Sequence, residues 1–577
     1  MATEPAHTQS ARETWRGAPD SKLDSRGLTD TQYLARLGYR QELNRAIGLF
    51  SSFGVQFSSI ATISAMYTTL VVGLAFFGPA SFWSWIIGGS LQVFAVGIAV
   101  AELVSAYPLA GGVYQINCRI LSQSPNRVLS SPWIGWQSGW WIVVAHTVAV
   151  AAVAWSMVPF VASWLGVTGL SNAETLWWAL AICVLCTLIN LTSVRLSALT
   201  NNLGVLAELA AGVLVVIALL VIHHPTQPLS ILTNSGGTVQ HGQWVRPFLF
   251  ALLLPLFIIS SFDSTGNAAE ETHDASRKAP LGVVLANGGS LLFGLVFMIL
   301  VYVAIPDLKS VMGSATPIHE ILVSAIGIQL TDVFQAIAIV SLLANLVMVQ
   351  LTGARVLWSQ ARDNQMPGAR FLSKVSRQRV PVNATLLIFA GVVVMLIVAA
   401  QSATALAVLI ALASLAWALA YGLVVSTGLY ALVTNKLPKR AFSCGRLSLP
   451  IFVTAVLWSA LIIVIVIWQN PRQVGGGMIG AIAVGAILYA LVPRRARAAG
   501  QVPVTARASR PSSSTPSKRQ SGSRLTAGQE GDGRGACSSF RTARTLSWSA
   551  RGHQARSWRT PLLPAGSASS AWSRATG

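Results

Sequence analysis

The sequence predicts an all-α integral membrane protein of about 12 transmembrane helices, and three observations carry that expectation. The chain has 577 residues, of which 53% are hydrophobic and only 10% charged. Soluble domains carry about 25% charged residues, so this much apolar side chain needs lipid as its solvent. The apolar residues fall into runs of about 20, the length of helix that crosses the hydrocarbon layer. Finally, two runs are interrupted midway by small and polar residues. Gln56, Ser58, Ser59, Thr62 and Ser64 interrupt 46–76, and Ser260, Ser261, Asp263, Ser264, Thr265, Gly266 and Asn267 interrupt 255–280. Backbone that leaves a helix at membrane depth persists only where it is buried in protein or lines a cavity.

In chain order, residues 1–36 are polar and without hydrophobic period, and are expected to be a disordered cytoplasmic tail. The membrane domain is placed at 37–492. Its first five spans lie near 46–76, 83–107, 134–164, 177–193 and 199–222. Span 2 ends in Pro108, Gly111 and Gly112, which mark a turn or a re-entrant piece. The second set occupies 247–433: the interrupted stretch as span 6, then runs near 281–305, 333–358, 382–400 and 406–433. Spans 11 and 12, near 449–468 and 475–492, are expected as an appendage, followed by a disordered basic tail over 493–577. The interrupted helices are spans 1 and 6. Five spans separate them, and five is odd, so the two halves form a five-plus-five inverted repeat.

Charge orients the array. Loops after the even spans carry Arg119, Arg127, Arg195, Arg277, Lys278, Arg355, Arg362, Arg370, Lys374, Arg377, Arg379, Lys436, Lys439, Arg440 and Arg446, against Arg246, Lys309 and Arg472 on the other side. That bias puts both termini in the cytoplasm. Net charge is +21, but much of it sits in the tail, so it argues topology rather than a nucleic-acid partner. Trp83, Trp85, Trp133, Trp136, Trp140, Trp141, Trp177, Trp178 and Trp468 stand near span ends and are expected in interfacial belts. Cys183 and Cys186 share a helix face without His or acidic neighbours, which reads as packing rather than metal ligation. There is no His-Glu-x-x-His and no Gly-x-Ser-x-Gly, so neither an enzyme nor a metal or other cofactor is expected. No phosphate loop suggests ATP as a driving force.

Three segments together resemble the amino acid–polyamine–organocation superfamily. They are Leu37-Gly-Tyr-Arg-Gln-Glu-Leu-Asn-Arg45, Ala101-Glu-Leu-Val-Ser-Ala-Tyr-Pro-Leu-Ala-Gly-Gly-Val-Tyr114, and Asp263-Ser-Thr-Gly-Asn-Ala-Ala-Glu-Glu-Thr272 with Ala275-Ser-Arg-Lys-Ala-Pro280. With Gly353-Ala-Arg355, Ala361-Arg-Asp363 and Met366-Pro367 they are similar to its amino acid/choline branch, which includes GABA and choline permeases. The resemblance implies secondary active transport of GABA or another small amino-bearing zwitterion by alternating access, with H+ as the coupling ion. A choline or polyamine permease, or a non-transporting sensor of the same fold, is the alternative.

A helix broken at the midplane exposes N–H groups at one end and carbonyls at the other, with the helix dipoles adding to both. The N–H groups around Ser58, Ser59, Ile60 and Ala61 are expected to take a substrate carboxylate. The carbonyls around Phe257, Ile258 and Ser260, with neighbouring Ser261, would take its ammonium. By resemblance, Phe257 is the aromatic that closes over substrate. Span 1 departs from the superfamily in having Ser58-Ser59-Ile60-Ala61 where many members have glycines. Charged side chains within spans mark function. Glu208 in span 5 is the candidate proton carrier, and Asp263 is a second candidate or an N-cap for the lower half of span 6. Glu102 is a gate or loop anchor, and Asn345 lines the path or bonds a neighbouring helix. Glu270, Glu271 and His273 are expected at the cytoplasmic surface.

Overall fold

The computed structural model describes residues 28–37, 48–126, 131–167, 169–192, 194–222, 225–376, 378, 380–402 and 404–493. Both tails beyond these limits, most of the 37–45 motif, and Arg127, Arg377, Arg379 and the Arg195 side chain lie outside the described residues.

The described residues hold ten helical stretches long and apolar enough to cross a membrane. The first of them, Leu49–Ala106, comprises two spans, because a turn at Gly78 (φ 57°) separates Thr62–Phe77 from Ser81–Leu91. With the shorter apolar helix Val245–Ile258 as span 6, all the expected spans are present. Span 1 is split into 1a (Leu49–Ile60) and 1b (Thr62–Phe77), and span 2 covers 81–106. Spans 3, 4 and 5 are Pro132–Trp164, Asn172–Thr192 and Val194–Val221. Span 6 comprises 6a (Val245–Ile258) and 6b, which is Ser264–Asn267 followed by the 3-10 turn Ala269–Glu271. Spans 7 to 10 are Ala275–Val303, Ile328–Arg362, Val382–Ala399 and Ala405–Val433, and spans 11 and 12 are Ser448–Gln469 and Gly476–Leu491.

The packing repeats under a shift of five spans. Span 3 packs on span 10, and span 8 on span 5. Span 3 also packs on spans 4 and 9, and span 8 on 9 and 4. Helix 1a lies against span 7, and 6a against span 2. Exchanging each helix for its counterpart leaves these neighbours unchanged, as a five-plus-five repeat requires. Small residues allow the close approaches: a Cβ on Gly204 of span 5 would lie 2.3 Å from the Ala344 Cβ of span 8.

Four features differ from the sequence expectation. Residues 30–36, expected in the tail, form a helix with a capping box between Thr29 and Gln32. Its Tyr33, Leu34 and Leu37 are buried, Tyr33 Oη donates to the Ala106 carbonyl (2.8 Å), and Asp30 accepts from the N–H groups of Asp274 and Ala275. Three apolar residues are too few to stand out as a period, although they suffice to dock a short helix. Trp85 and Trp136 are fully buried and donate to the carbonyls of Leu291 and Gln365, so they are packing residues rather than belt residues, and Trp140 and Trp141 are buried too. Trp83, Trp177 and Trp468 are exposed. The glycine turn after span 2 (Gly111, φ 94°) leads into a helix, Gly112–Ser122. Two further short helices, Leu308–Gly313 and Pro317–Ile326, join spans 7 and 8.

Candidate binding site at the paired helix breaks

Span 1 breaks at a single residue. Ala61 is left-handed (φ 46°, ψ 56°), a conformation unfavourable for a residue with a Cβ. Side chains from neighbouring helices hold the break on both sides. Asn345 of span 8 donates through Nδ2 to the carbonyls of Ser58 (3.0 Å) and Ser59 (2.8 Å), which end helix 1a. Glu208 of span 5, fully buried, accepts from the N–H of Ile63 (2.5 Å), the N–H of Ser64 (3.4 Å) and the Ser64 hydroxyl (2.5 Å), at the start of helix 1b. Ser341 of span 8 also donates to it (2.8 Å). A carboxylate at a helix N-terminus meets both open N–H groups and a favourable dipole.

The position of the open donors corrects the sequence reading. Ser58, Ser59 and Ile60 lie within helix 1a, and the Ala61 N–H closes it by donating to the Phe57 carbonyl (2.9 Å). The free N–H groups are those one turn further on, and Glu208 already holds two of them. A polar cluster marks where a helix is weakened, but it does not say which peptide turns. Thr62 Oγ1, at the head of 1b, is buried without a hydrogen-bond partner among the described residues.

Span 6 breaks over 259–263, with Ser261 left-handed at φ 57°. Ser260 Oγ and Ser260 N donate to the carbonyls of Phe257 (2.8 Å) and Ile258 (3.0 Å), the groups expected to face an ammonium. Gln56 of helix 1a spans the gap: its amide donates to the Ser260 carbonyl (3.5 Å) and accepts from Thr265 N (3.4 Å) and Oγ1 (3.2 Å). The two breaks are thus joined by one side chain. The hydroxyls of Ser261 and Ser264 have no partner among the described residues.

Asp263 is not the helix cap that the sequence suggested, since its side chain takes no backbone N–H of 6b. It accepts instead from Tyr421 Oη of span 10 (2.7 Å) and Asn267 Nδ2 (2.8 Å). Among the described residues, neither Asp263 nor Glu208 has a basic group within 4.0 Å, whereas Arg355 pairs with Glu271 and Arg440 with Glu102. Glu102 is fully buried away from the breaks, where it accepts from Arg440, the Cys444 N–H and Ser448 Oγ and fastens the loop between spans 10 and 11. Glu270 is buried rather than at the surface and accepts from the Ala110 N–H (2.9 Å).

Phe257 lies beside Trp417 of span 10, with ring centroids 6.1 Å apart. Trp417 in turn meets the His146 ring of span 3 edge to face at 6.0 Å. Sequence reasoning noted Gln56 only as part of the polar patch in span 1, without its bridge to span 6, and passed over Ser341, Tyr421, His146 and Trp417. A lone His in an apolar run was the available signal for one of them.

The amino acid permease family profile matches residues 47–489. An uncharacterised amino-acid permease of Schizosaccharomyces pombe is 24% identical over 457 residues, which cover 77% of this chain and 82% of that protein. An amino-acid permease of Arabidopsis thaliana is 26% identical over 462 residues, covering 75% and 87% respectively. A thiamine transporter of S. pombe is 23% identical over 515 residues, covering 81% and 86%.

Proposed function

This chain belongs to the amino acid permease family, a family of transporters rather than enzymes, and on that premise we propose that it is a secondary active carrier of a small amino-bearing zwitterion such as GABA. The observation that carries the reading is the pair of helix breaks joined by Gln56 and lined by unpartnered hydroxyls of Thr62, Ser261 and Ser264. The substrate carboxylate sits at the head of 1b beside Thr62, within reach of the helix dipole. The ammonium sits at the carbonyl end of 6a around Phe257 and Ile258, with Phe257 closing over it.

The same geometry supports H+ coupling. Glu208 and Asn345 stand on spans 5 and 8, while the break they hold belongs to span 1. As a carboxylate, Glu208 accepts from several donors at once; as a neutral acid it must supply a donor to a site already full of donors. Protonation therefore loosens the hold of spans 5 and 8 on helix 1b, which then moves with span 6 in alternating access. The excess of basic residues in the loops after the even spans supports both termini facing the cytoplasm.

A second reading has one specific support. Glu208 and Asp263 are two buried carboxyls without a basic partner among the described residues, one at each helix break, and the aromatic pair Phe257 and Trp417 stands at the end of 6a. That arrangement suits an organic cation such as choline or a polyamine. Proteoliposomes with an imposed inward H+ gradient separate the two when offered labelled GABA, neutral and basic amino acids, choline and putrescine. Accumulation of an amino acid that a protonophore abolishes supports the zwitterion reading. Entry of choline or putrescine alone overturns it, and ligand binding without any accumulation leaves a sensor.

A further inference from the structure

His146 and Trp417 are buried polar side chains to which the carrier scheme gives no task. His146 is fully buried in span 3, and its Nδ1 lies 2.9 Å from the Ile142 carbonyl. A carbonyl only accepts, so Nδ1 holds the proton and Nε2 of the neutral ring is a bare acceptor. It has no partner among the described residues. Trp417, 3% exposed, carries an indole N–H that is equally without a partner. Buried polar groups are almost always satisfied, so an unmet acceptor and an unmet donor on adjoining rings call for a ligand. The two rings continue from Phe257, in the last turn of 6a before the span 6 break, so they extend the proposed site sideways.

We infer that His146 and Trp417 form the side-chain subsite of the carrier and select a neutral carboxamide side chain. This rests on the amino-acid reading above and narrows it to an α-amino acid, since GABA carries no side chain to fill the subsite. A carboxylate offers only acceptors and would leave Nε2 facing a lone pair. An ammonium or guanidinium offers only donors and would oppose the indole N–H. An aliphatic group meets neither need. A carboxamide accepts from Trp417 Nε1 through its carbonyl and donates to His146 Nε2 through its NH2, while Phe257 covers its methylenes. Gly353 of span 8, where an added Cβ would lie 2.9 Å from the His146 Cβ, fixes the ring from behind.

The test compares initial uptake of labelled glutamine and of methionine, its near-isostere, by wild-type, Trp417→Phe and His146→Leu proteins in proteoliposomes. The expected result is a wild-type preference for glutamine in kcat/KM of about tenfold or more, the discrimination that one or two unmet buried groups provide. Each variant should bring the ratio towards one by losing more glutamine uptake than methionine uptake, and a monodisperse gel-filtration profile reports that it is folded. Trp417→Phe keeps ring and volume and removes only the donor, so it decides the matter where His146→Leu fails to fold. Equal wild-type uptake of the two amino acids, or a preference that survives in Trp417→Phe, overturns the subsite. A wild-type protein that accumulates no amino acid overturns the carrier reading on which the subsite rests.

Discussion

Replacing Glu208 by Gln tests the coupling scheme at its centre. The wild-type carboxyl accepts from Ile63 N, Ser64 Oγ and Ser341 Oγ at 2.5, 2.5 and 2.8 Å, with Ser64 N further off at 3.4 Å. A glutamine has one oxygen in place of two and presents an NH2 where the second oxygen was. It keeps either the contact to the Ile63 N–H at Oε1 or those to both serines at Oε2; in the first case the serine hydroxyls must rotate to accept from the NH2, and in the second the NH2 opposes the Ile63 N–H. The loss is about one to two charge-assisted hydrogen bonds, at roughly 1.5–3 kcal/mol each. The saving from removing a buried charge offsets part of it. The net is about 2 kcal/mol, roughly a thirtyfold weakening of the hold on helix 1b. Because glutamine also cannot carry a proton, two assays should separate. Counterflow exchange of the substrate at symmetric pH should persist, whereas accumulation driven by an inward H+ gradient should disappear. A Glu208→Gln protein that still accumulates substrate to the wild-type level, with the same sensitivity to a protonophore, would refute the assignment of Glu208 as the coupling acid.

Asn345→Leu strips two buried carbonyls of their partner and should cost about 2–4 kcal/mol, seen as a fall of several degrees in the thermal midpoint of the purified protein and a raised KM. Glu102→Gln breaks the pair with Arg440 and should free the loop between spans 10 and 11, so that trypsin cuts at Lys436, Lys439 or Arg440 faster than in wild type, with a stability loss of about 3 kcal/mol. Unchanged cleavage would remove Glu102 from its anchoring role. Gly111→Ala forces a Cβ at φ 94° to within 2.5 Å of Ser359 Oγ and should lower the yield of folded protein sharply, whereas Gly313→Ala, with open space around it, should not.

Much of the fold was legible because lipid imposes a simple grammar. A span must be long, apolar and helical, and any departure must have a compensating structure around it. The runs that became spans 3, 7, 9 and 10 could be read from length alone, and the polar interruptions at 56–64 and 260–267 announced the two breaks. The helix at 30–36 was missed because its apolar face has only Tyr33, Leu34 and Leu37. The buried tryptophans were misplaced because Trp85 and Trp136 sit near span ends in sequence yet face neighbouring helices in space. A belt residue and a packing residue differ only in which way the helix is turned.

The site divides along the same line. Glu208, Asn345 and Asp263 stood out as polar groups in apolar runs, and the sequence by itself determined that each needs a partner, since an unmet polar group in hydrocarbon costs several kcal/mol. Which partner each one takes was decided only by tertiary structure. Asp263 is paired with Tyr421, 158 residues away, rather than with its own helix end, and Glu208 reaches helix 1b across 144 residues at Ser64. Likewise, the turning peptide is Ala61 because Asn345 and Glu208 close the helix ends on either side of it. Local propensity sets where a helix can break, but the energy of a capped break is supplied by other spans, and no pattern along one span contains it.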